Sequence, residues 1–349
     1  MNAVIAIHRP TTAVDALPGG HPGAVRRTIA DVLALFELPF RDLVLRVQSA
    51  RCEHFAANQV ELAAVLSIKT GGCPEDCGYC PQSVRYDTGV GAAKLIDVAT
   101  VAAADRTAKE HGATRFCMGA AWRVPKDRDI EAVWALQREV RSPGLEAYCT
   151  PGMLSVQKVA SFKDAGLDCY NHNLDAAPEA YGRIISARDY QVRLNTLSGV
   201  RNAGISVCSG GIVGTGESRC ERAGPAAQSA NLDPYPESVP INELVRVEGT
   251  PLRDEKPLDL LEFVRTIAVA RITMPMARVR LLAERKNMSE AVHALCFLAG
   301  ANSVFYGEKL PTTGKPDVER DRVLFRRLGI QTAACESRKR LEPGPDYVW

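Results

Sequence analysis

The sequence LSIKTGGCPEDCGYCPQS occupies residues 66–83, and an apolar, β-branched run over residues 60–68 leads into its cysteine loop. Its cysteines, Cys73, Cys77 and Cys80, are spaced C-x3-C-x2-C in a loop rich in glycine and proline. A metal centre with three protein ligands keeps one coordination position open for a substrate. Thiolates favour soft metals and iron–sulfur clusters. The segment therefore predicts a catalytic [4Fe-4S] cluster with one iron free of protein ligands, and a zinc site with a distant fourth ligand is the alternative.

The composition limits the possible functions. The 349 residues, 46% of them hydrophobic, suffice for a (β/α)8 barrel of roughly 250 residues with additional segments. A formal net charge of +2 gives no electrostatic reason to expect nucleic acid or an anionic membrane as a partner. No apolar run reaches the ~18 residues of a membrane span, and the N-terminus lacks the apolar core of a signal peptide. We therefore expect a cytoplasmic protein whose eleven cysteines stay reduced and can bind metal.

Short apolar runs alternate with helical patterns along most of the chain, which favours a closed (β/α)8 barrel of parallel strands. Strands are predicted near residues 62–68, 114–119, 145–150, 167–172, 205–213, 239–246, 277–282 and 301–305. Helices are predicted near 97–111, 127–141, 155–165, 189–203, 217–230, 257–270 and 288–299. The expected domains are a disordered tail (1–27), N-terminal helices (28–60), the barrel (61–316), and a last helix with a tail (317–349).

The three-cysteine segment resembles the signature of the radical S-adenosylmethionine enzymes, and the likeness is greatest to their biotin synthase family. It covers roughly residues 28–313 and includes the segments RFCMGA (115–120), YNHNLD (170–175), VCSGGI (207–212), PIN (240–242) and NSVFYG (302–307). The resemblance implies reductive cleavage of S-adenosyl-L-methionine to a radical that takes hydrogen from unactivated C–H bonds. It also implies sulfur insertion into dethiobiotin to give biotin, a flavodoxin or ferredoxin as electron donor, and a homodimer.

The resemblance also assigns residues to the cofactor and the substrate. Tyr79, Asn173, Asp175, Gly214 and Gly216 would bind S-adenosylmethionine, and Asn171 and Asn242 would bind the ureido ring of dethiobiotin. From the residues alone, alternating positions 171, 173 and 175 share one face of an extended segment, although Asn and Asp also form turns. Tyr79 also fits a packing aromatic, and His172 fits either a core histidine or a cofactor contact. Arg193 is expected to be solvated or paired with an acidic residue.

A second cluster, [2Fe-2S], is bound in this family by three cysteines and an arginine, and the resemblance assigns Cys117, Cys208 and Arg280 to it. The family's remaining cysteine follows Gly-Leu-Glu-x directly, a position that Tyr148 occupies here, with Cys149 one residue later. A one-residue offset turns a side chain to the opposite face of a strand. Either a bulge returns Cys149 to the lumen, or the cluster lacks one thiolate. Cys169 lies in an apolar pattern and is expected to be a small buried hydrophobe.

Other departures from the family pattern surround the expected sulfur donor. The segment RLLAER (280–285) has Leu282 and Glu284 where the family has Ser and Gly. On the first strand, Ala63-Ala64 replace hydroxyl residues. We therefore expect a biotin synthase. A diverged relative with an altered or impaired sulfur-donor cluster is one alternative, and a zinc-stabilised binding protein is another.

Overall fold

The computed structural model describes residues 26–282, 285, 288–306 and 318–333. The expected tails before residue 26 and after residue 333, together with residues 283–284, 286–287 and 307–317, lie outside these ranges. The strands are β1 (Gln59–Lys69), β2 (Arg115–Ala120), β3 (Glu146–Thr150), β4 (Cys169–Asn171), β5 (Ser206–Cys208), β6 (Gly211–Val213), β7 (Ser238–Glu243), β8 (Arg278–Leu281), β9 (Ser303–Tyr306) and β10 (Gln331–Thr332). The helices are α1 (Ile29–Phe36), α2 (Phe40–Cys52), α3 (Val98–Glu110), α4 (Asp127–Arg141), α5 (Val156–Asp164), α6 (Pro178–Ile184), α7 (Tyr190–Asn202), α8 (Arg219–Ala230), α9 (Leu260–Thr273), α10 (Glu290–Leu298) and α11 (Val318–Leu328).

The strands close into a barrel of eight parallel strands. The strands pair in the order β1-β2-β3-β4-β5-β7-β8-β9, β1 also pairs with β9 to close the barrel, and the short β10 pairs with β1. The fifth strand is split into β5 and β6, which both pair with β7. Helices follow the strands, so the predicted (β/α)8 barrel is confirmed. Because all these pairings are parallel, the carboxyl ends of the strands lie at one rim.

Helix boundaries follow from local chemistry. Thr28 caps α1, since its hydroxyl accepts a bond from the Asp31 amide at 3.1 Å and the Asp31 carboxylate accepts one from the Thr28 amide at 2.8 Å. This capping box satisfies amides that have no partner inside the helix. The structure contains one short helix, α6, that the sequence did not predict. Pro178 begins α6, where its missing N–H costs no helical bond.

The apolar residues form two layers because successive strand residues point to opposite faces. On β1, Ala63 faces the lumen while Ala64 packs against the surrounding helices. On β2, Cys117 faces the lumen, and Phe116 and Met118 face the helices. Helices α1 and α2 cover the outside of the barrel by packing on α8 and α9. No helix among the described residues is long and apolar enough to cross a membrane.

Candidate active site

The three-cysteine loop begins where β1 ends and crosses the carboxyl rim of the barrel. Its backbone is fixed at both ends, because the Cys73 amide donates to the Gln82 carbonyl at 3.0 Å and the Gly78 amide donates to the Ile184 carbonyl at 2.8 Å. The Asp76 carboxylate accepts bonds from the amides of residues 186 and 187. The loop is therefore held against the segment that follows α6, close to the ends of β4 and β5.

The thiols of this loop lie in a poorly hydrated environment. Burial raises the pKa of Cys77 to about 12 and that of Cys80 to about 11, and it raises the pKa of Cys73 as well. All three are free thiols. A thiol must lose its proton to bind a metal, so a metal cluster bound by these three residues would displace their protons.

Tyr79, Asp175 and Arg193 form a network beside the cysteine loop. The Tyr79 hydroxyl donates to Asp175 Oδ2 at 2.6 Å, and Arg193 Nη2 lies 2.7 Å from the same oxygen. Arg193 also donates to the Tyr181 hydroxyl at 2.7 Å and to the Asn173 carbonyl. Of the two roles expected for Arg193, the structure shows the ion pair, and this side chain is buried rather than solvated. Asp175 itself adopts a φ of +66°, a conformation that Asp tolerates better than most residues.

The segment after β4 remains extended as far as Leu174. Asn171 and Asn173 therefore share a face, whereas His172 and Leu174 point the other way. Asn171 Oδ1 is buried and has no hydrogen-bond partner among the described residues, and Asn173 Oδ1 accepts from the Gly210 amide at 3.3 Å. His172 is buried beside Tyr170, and burial lowers its pKa well below the ordinary value. One face was predicted for positions 171, 173 and 175. Asn171 and Asn173 share that face, and the positive φ of Asp175 ends the extended segment at the third position.

The loop after β6 is shaped around one carboxylate. Gly214 N donates to Glu217 Oε1 at 2.9 Å, and the amide of Thr215 donates to Glu217 Oε2 at 2.7 Å. Gly214 and Gly216 both have a φ of +87°, a region that side chains of L-residues rarely enter. A Cβ on Gly214 would also lie 3.3 Å from Leu258 Cβ. Next to this loop, Asn242 on β7 donates from Nδ2 to the Gly211 carbonyl at 3.2 Å.

Deep in the barrel, Arg280 is held by three partners. Its Nε donates to Ser303 Oγ at 2.9 Å, its Nη2 donates to Glu61 Oε1 at 3.0 Å, and its Nη1 lies 4.0 Å from Cys117 Sγ. Glu61 is also paired with Arg115 at 3.1 Å and Arg278 at 3.2 Å. Burial alone would raise the pKa of Glu61, but the surrounding arginines hold it below its usual value. Sequence reasoning did not identify this acidic centre.

A compact lumen cluster surrounds Arg280, and its members are Ala63, Cys117, Tyr148, Cys169, Cys208 and Phe305. The Arg280 guanidinium lies 5.4 Å from the centre of the Tyr148 ring and 4.9 Å from that of Phe305. Burial raises the pKa of Cys117 to about 12 and also raises that of Cys208. Ala63 lines this lumen where the family carries a hydroxyl residue, so that hydroxyl is missing from the lumen.

The structure decides between the two alternatives for Cys149 and shows which face of its strand Cys169 occupies. Strand β3 pairs with β2 in unbroken register from Glu146 to Thr150, so no bulge returns Cys149 to the lumen. Cys149 instead packs among the apolar residues between barrel and helices. Cys169 is a small buried residue, as expected, and the residues around it are those of the lumen cluster. The period of two would have indicated this, because Cys169 lies two residues before Asn171 on the same strand.

In the described part of the chain, no three His, Cys, Asp or Glu side chains converge tightly on a single-ion site. Ligands of a polynuclear cluster stand farther apart than those of a single ion, because irons and sulfides lie between them. Three thiols in one loop match the soft donor set of an iron–sulfur cluster. The lumen offers further thiols beside a guanidinium.

Two family models match the chain. The Radical SAM superfamily model matches residues 67–224, and the Biotin and Thiamin Synthesis associated domain model matches residues 240–331. The first range includes the three-cysteine loop, the segment after β4 and the loop after β6. The second includes β7, β8 and β9, and therefore Asn242 and Arg280. Together these models span nearly all of the barrel.

Curated relatives match the chain over nearly its full length. The biotin synthase of Methylibium petroleiphilum is 66% identical over 313 residues, which are 90% of this chain and 95% of that protein. The biotin synthase of Herminiimonas arsenicoxydans is 61% identical over 317 residues, 91% of this chain and 94% of that protein. Among solved structures, methylornithine synthase aligns with a TM-score of 0.75 at 19% identity, covering 90% of this chain and 96% of that one. At that identity the structural match supports the fold alone.

Proposed function

The chain belongs to the biotin synthase family of radical S-adenosylmethionine enzymes, and we propose that it inserts a sulfur atom into dethiobiotin to give biotin. One observation carries this proposal. The three-cysteine loop crosses the carboxyl rim of a barrel whose lumen holds Cys117, Cys208 and Arg280. A radical generator and a thiol-rich pocket therefore share one enclosed interior, as sulfur insertion into a C–H bond requires.

Cys73, Cys77 and Cys80 are the proposed ligands of the [4Fe-4S] cluster that the radical S-adenosylmethionine family implies. When bound, the cluster supplies the electron that cleaves S-adenosylmethionine and so produces the radical that removes hydrogen from the substrate. The chain contributes a rigid loop, since backbone bonds and the Asp76 carboxylate fix its position. It also contributes burial, which keeps water from the reactive centre.

Tyr79, Asn173, Asp175, Gly214 and Gly216 form the proposed S-adenosylmethionine site. The Tyr79–Asp175–Arg193 network fixes the carboxylate that would accept bonds from the ribose hydroxyls. The two glycines carry no side chain, so a flat adenine can approach the backbone after β6 closely, and their positive φ values suit the turn of this loop.

Asn171 and Asn242 are the proposed ligands of the ureido group of dethiobiotin. Asn171 Oδ1 is a buried acceptor with no partner among the described residues, and such groups are rarely left unpaired in native proteins. An N–H of the ureido ring supplies the missing donor. Asn242 is already oriented by its bond to the Gly211 carbonyl.

The lumen cluster with Arg280 is the proposed site of a [2Fe-2S] cluster that serves as sulfur donor. Cys117 and Cys208 provide thiolates, and Arg280 Nη1 faces Cys117 Sγ while its other nitrogens are engaged by Ser303 and Glu61. The donor atoms are soft thiolate sulfurs that lie in an enclosed lumen, which suits an iron–sulfur cluster. Glu61 acts through Arg280, because it holds the guanidinium in one orientation.

Other features of the enzyme are proposed from the family and the composition. A flavodoxin or ferredoxin delivers electrons, the chain forms a homodimer, and the enzyme works in the cytoplasm, where thiols remain reduced. The barrel domain comprises residues 61–316, preceded by the helices of residues 28–60 and followed by the segment 317–349.

The test uses protein reconstituted anaerobically with iron and sulfide, then supplied with a strong reductant, S-adenosylmethionine and dethiobiotin. Methionine, 5′-deoxyadenosine and biotin are measured by mass spectrometry. We expect all three products from the unchanged chain and none from Cys77→Ala. Cys220→Ala is the matched control, because this cysteine is exposed on α8 and far from the loop in sequence, and it should retain full activity.

The pattern of products separates the alternatives. 5′-Deoxyadenosine without biotin would identify a diverged radical enzyme whose sulfur-donor cluster is impaired. Absence of both products from a brown, iron-loaded preparation would contradict the proposed function. A colourless preparation that binds zinc stoichiometrically and no iron would favour the zinc-stabilised binding protein.

A further inference from the structure

We propose that Cys169 supplies the third thiolate of the [2Fe-2S] cluster, in place of the cysteine that the family pattern expects at position 148. The assignment depends on the [2Fe-2S] cluster proposed above. It also depends on the position of Tyr148 in the lumen, which leaves the expected ligand position without a sulfur atom. Cys149, the nearest cysteine along the chain, is turned toward the helices and is excluded.

Strand register brings Cys169 to the expected place. Cys117 on β2 pairs with Tyr148 on β3, and Tyr148 pairs with Cys169 on β4, so the three residues form one row across adjacent strands. Directly paired residues of parallel strands point to the same face, and neighbouring strands lie about 4.8 Å apart. Cys169 is therefore displaced from the expected ligand position by a single strand spacing, on the same side of the sheet.

Cys169 also adjoins the second proposed thiolate ligand. Asn171, two residues later on β4, pairs with Cys208 on β5, so Cys169 and Cys208 are diagonal neighbours on the lumen face. Cys117, Cys169 and Cys208 belong to one cluster together with the Tyr148 ring. Tyr148 and Cys169 are directly paired on adjacent strands, so the tyrosine adjoins the proposed ligand.

The charges of the lumen suit a set of thiolates. Arg115, Arg278 and Arg280 all contact Glu61, and Arg115 also pairs with Glu146 at 2.6 Å, so three guanidiniums face two carboxylates at this centre. Buried charges are stable only when they are paired, and an anionic, thiolate-ligated cluster offsets the remaining positive charge. When iron binds, the Cys169 S–H bond breaks, the proton leaves to solvent or buffer, and a sulfur–iron bond forms without any change in redox state.

The experiment isolates the second cluster. In a parent variant with Cys73, Cys77 and Cys80 all replaced by alanine, only the [2Fe-2S] cluster contributes to the Mössbauer and visible spectra. Cys169→Ala is compared with Cys149→Ala after anaerobic reconstitution with ⁵⁷Fe. The two cysteines are equally buried, so both changes delete the same atoms from an interior position. Circular dichroism and the thermal midpoint of each protein establish that it is folded.

We expect Cys169→Ala to lose most of its iron, about two atoms per chain, while Cys149→Ala matches the parent. Cys169→Ser, which preserves the shape, should retain a cluster with shifted charge-transfer bands, a change that a merely structural role would not produce. Tyr148→Phe should keep the parent spectrum. Unchanged iron content and spectra in both Cys169 variants, or loss of the cluster in Tyr148→Phe, would overturn the assignment. No [2Fe-2S] signal in the parent would overturn the proposed cluster itself and the ligand with it.

Discussion

The buried carboxylate of Glu61 offers the most direct test of how the lumen is held together. Its two oxygens contact Arg280 at 3.0 Å, Arg115 at 3.1 Å, Arg278 at 3.2 Å and Ser303 at 2.9 Å. Glu61→Gln removes the negative charge that these three guanidiniums share, and only Arg115 keeps a carboxylate partner among the described residues, Glu146 at 2.6 Å. Removing one partner of a buried ion pair typically costs about 3–5 kcal/mol. That cost is a large share of the ~5–15 kcal/mol that stabilises an ordinary protein.

The assay is urea unfolding of the cluster-free protein at pH 7, followed by circular dichroism. The matched control is Glu37→Gln, since Glu37 pairs with Arg219 at 2.9 Å but is 59% exposed. An exposed pair contributes about 1 kcal/mol or less. If Glu61→Gln lowers the free energy of unfolding by no more than the control does, the reasoning that the lumen charges are desolvated is refuted.

The same network predicts how stability depends on pH. The pKa of Glu61 is lowered in the folded chain, so its stabilising contribution is complete above the unfolded pKa of about 4.5 and disappears as pH falls through the folded value. The stability difference between the unchanged chain and Glu61→Gln should therefore be largest at neutral pH and shrink below pH 4.5. A stability difference that stays constant below pH 4.5 would contradict the assignment of a negative charge to Glu61 in the folded chain.

Three further changes test other parts of the structure. Tyr79→Phe removes the 2.6 Å bond to Asp175 and should raise the Kd of cluster-loaded protein for S-adenosylmethionine about 10-fold by calorimetry; an unchanged Kd would contradict it. Thr28→Ala should lower the free energy of unfolding by about 1 kcal/mol through loss of the α1 cap. Burial raises the pKa of Asp105 to about 7. The thermal midpoint of Asp105→Asn should therefore exceed that of the unchanged chain by a margin that grows from about pH 4 to about pH 7. A margin that does not depend on pH would argue against this.

Much of the fold is encoded in local sequence patterns. The alternation of apolar strands with helical segments predicted the barrel, and most boundaries lie within three residues of those predicted. The spacing of Cys73, Cys77 and Cys80 needs no tertiary information, because three ligands within eight residues meet whenever the loop closes. The main omission was α6, a seven-residue helix that is too short to show a clear apolar period.

The lumen, in contrast, could not be predicted from any single segment. Glu61 and Arg280 are 219 positions apart, and Tyr79 and Asp175 are 96 apart. No periodicity relates such residues, so the acidic centre and the buried ion pair of Asp175 emerged only from the folded chain. The family pattern directed attention to Cys149, whose side chain faces the helices, and away from Cys169, whose side chain faces the lumen.

The sequence by itself determined which residues alternate within a strand and which ligands share a loop, because both properties depend on neighbours in the chain. Only the tertiary structure decided which of the buried cysteines meet. That outcome depends on the register between strands and on closure of the barrel through β1 and β9. Both are set by contacts between distant segments, and a shift of one residue in any pairing would exchange the lumen face of a strand for its outer face.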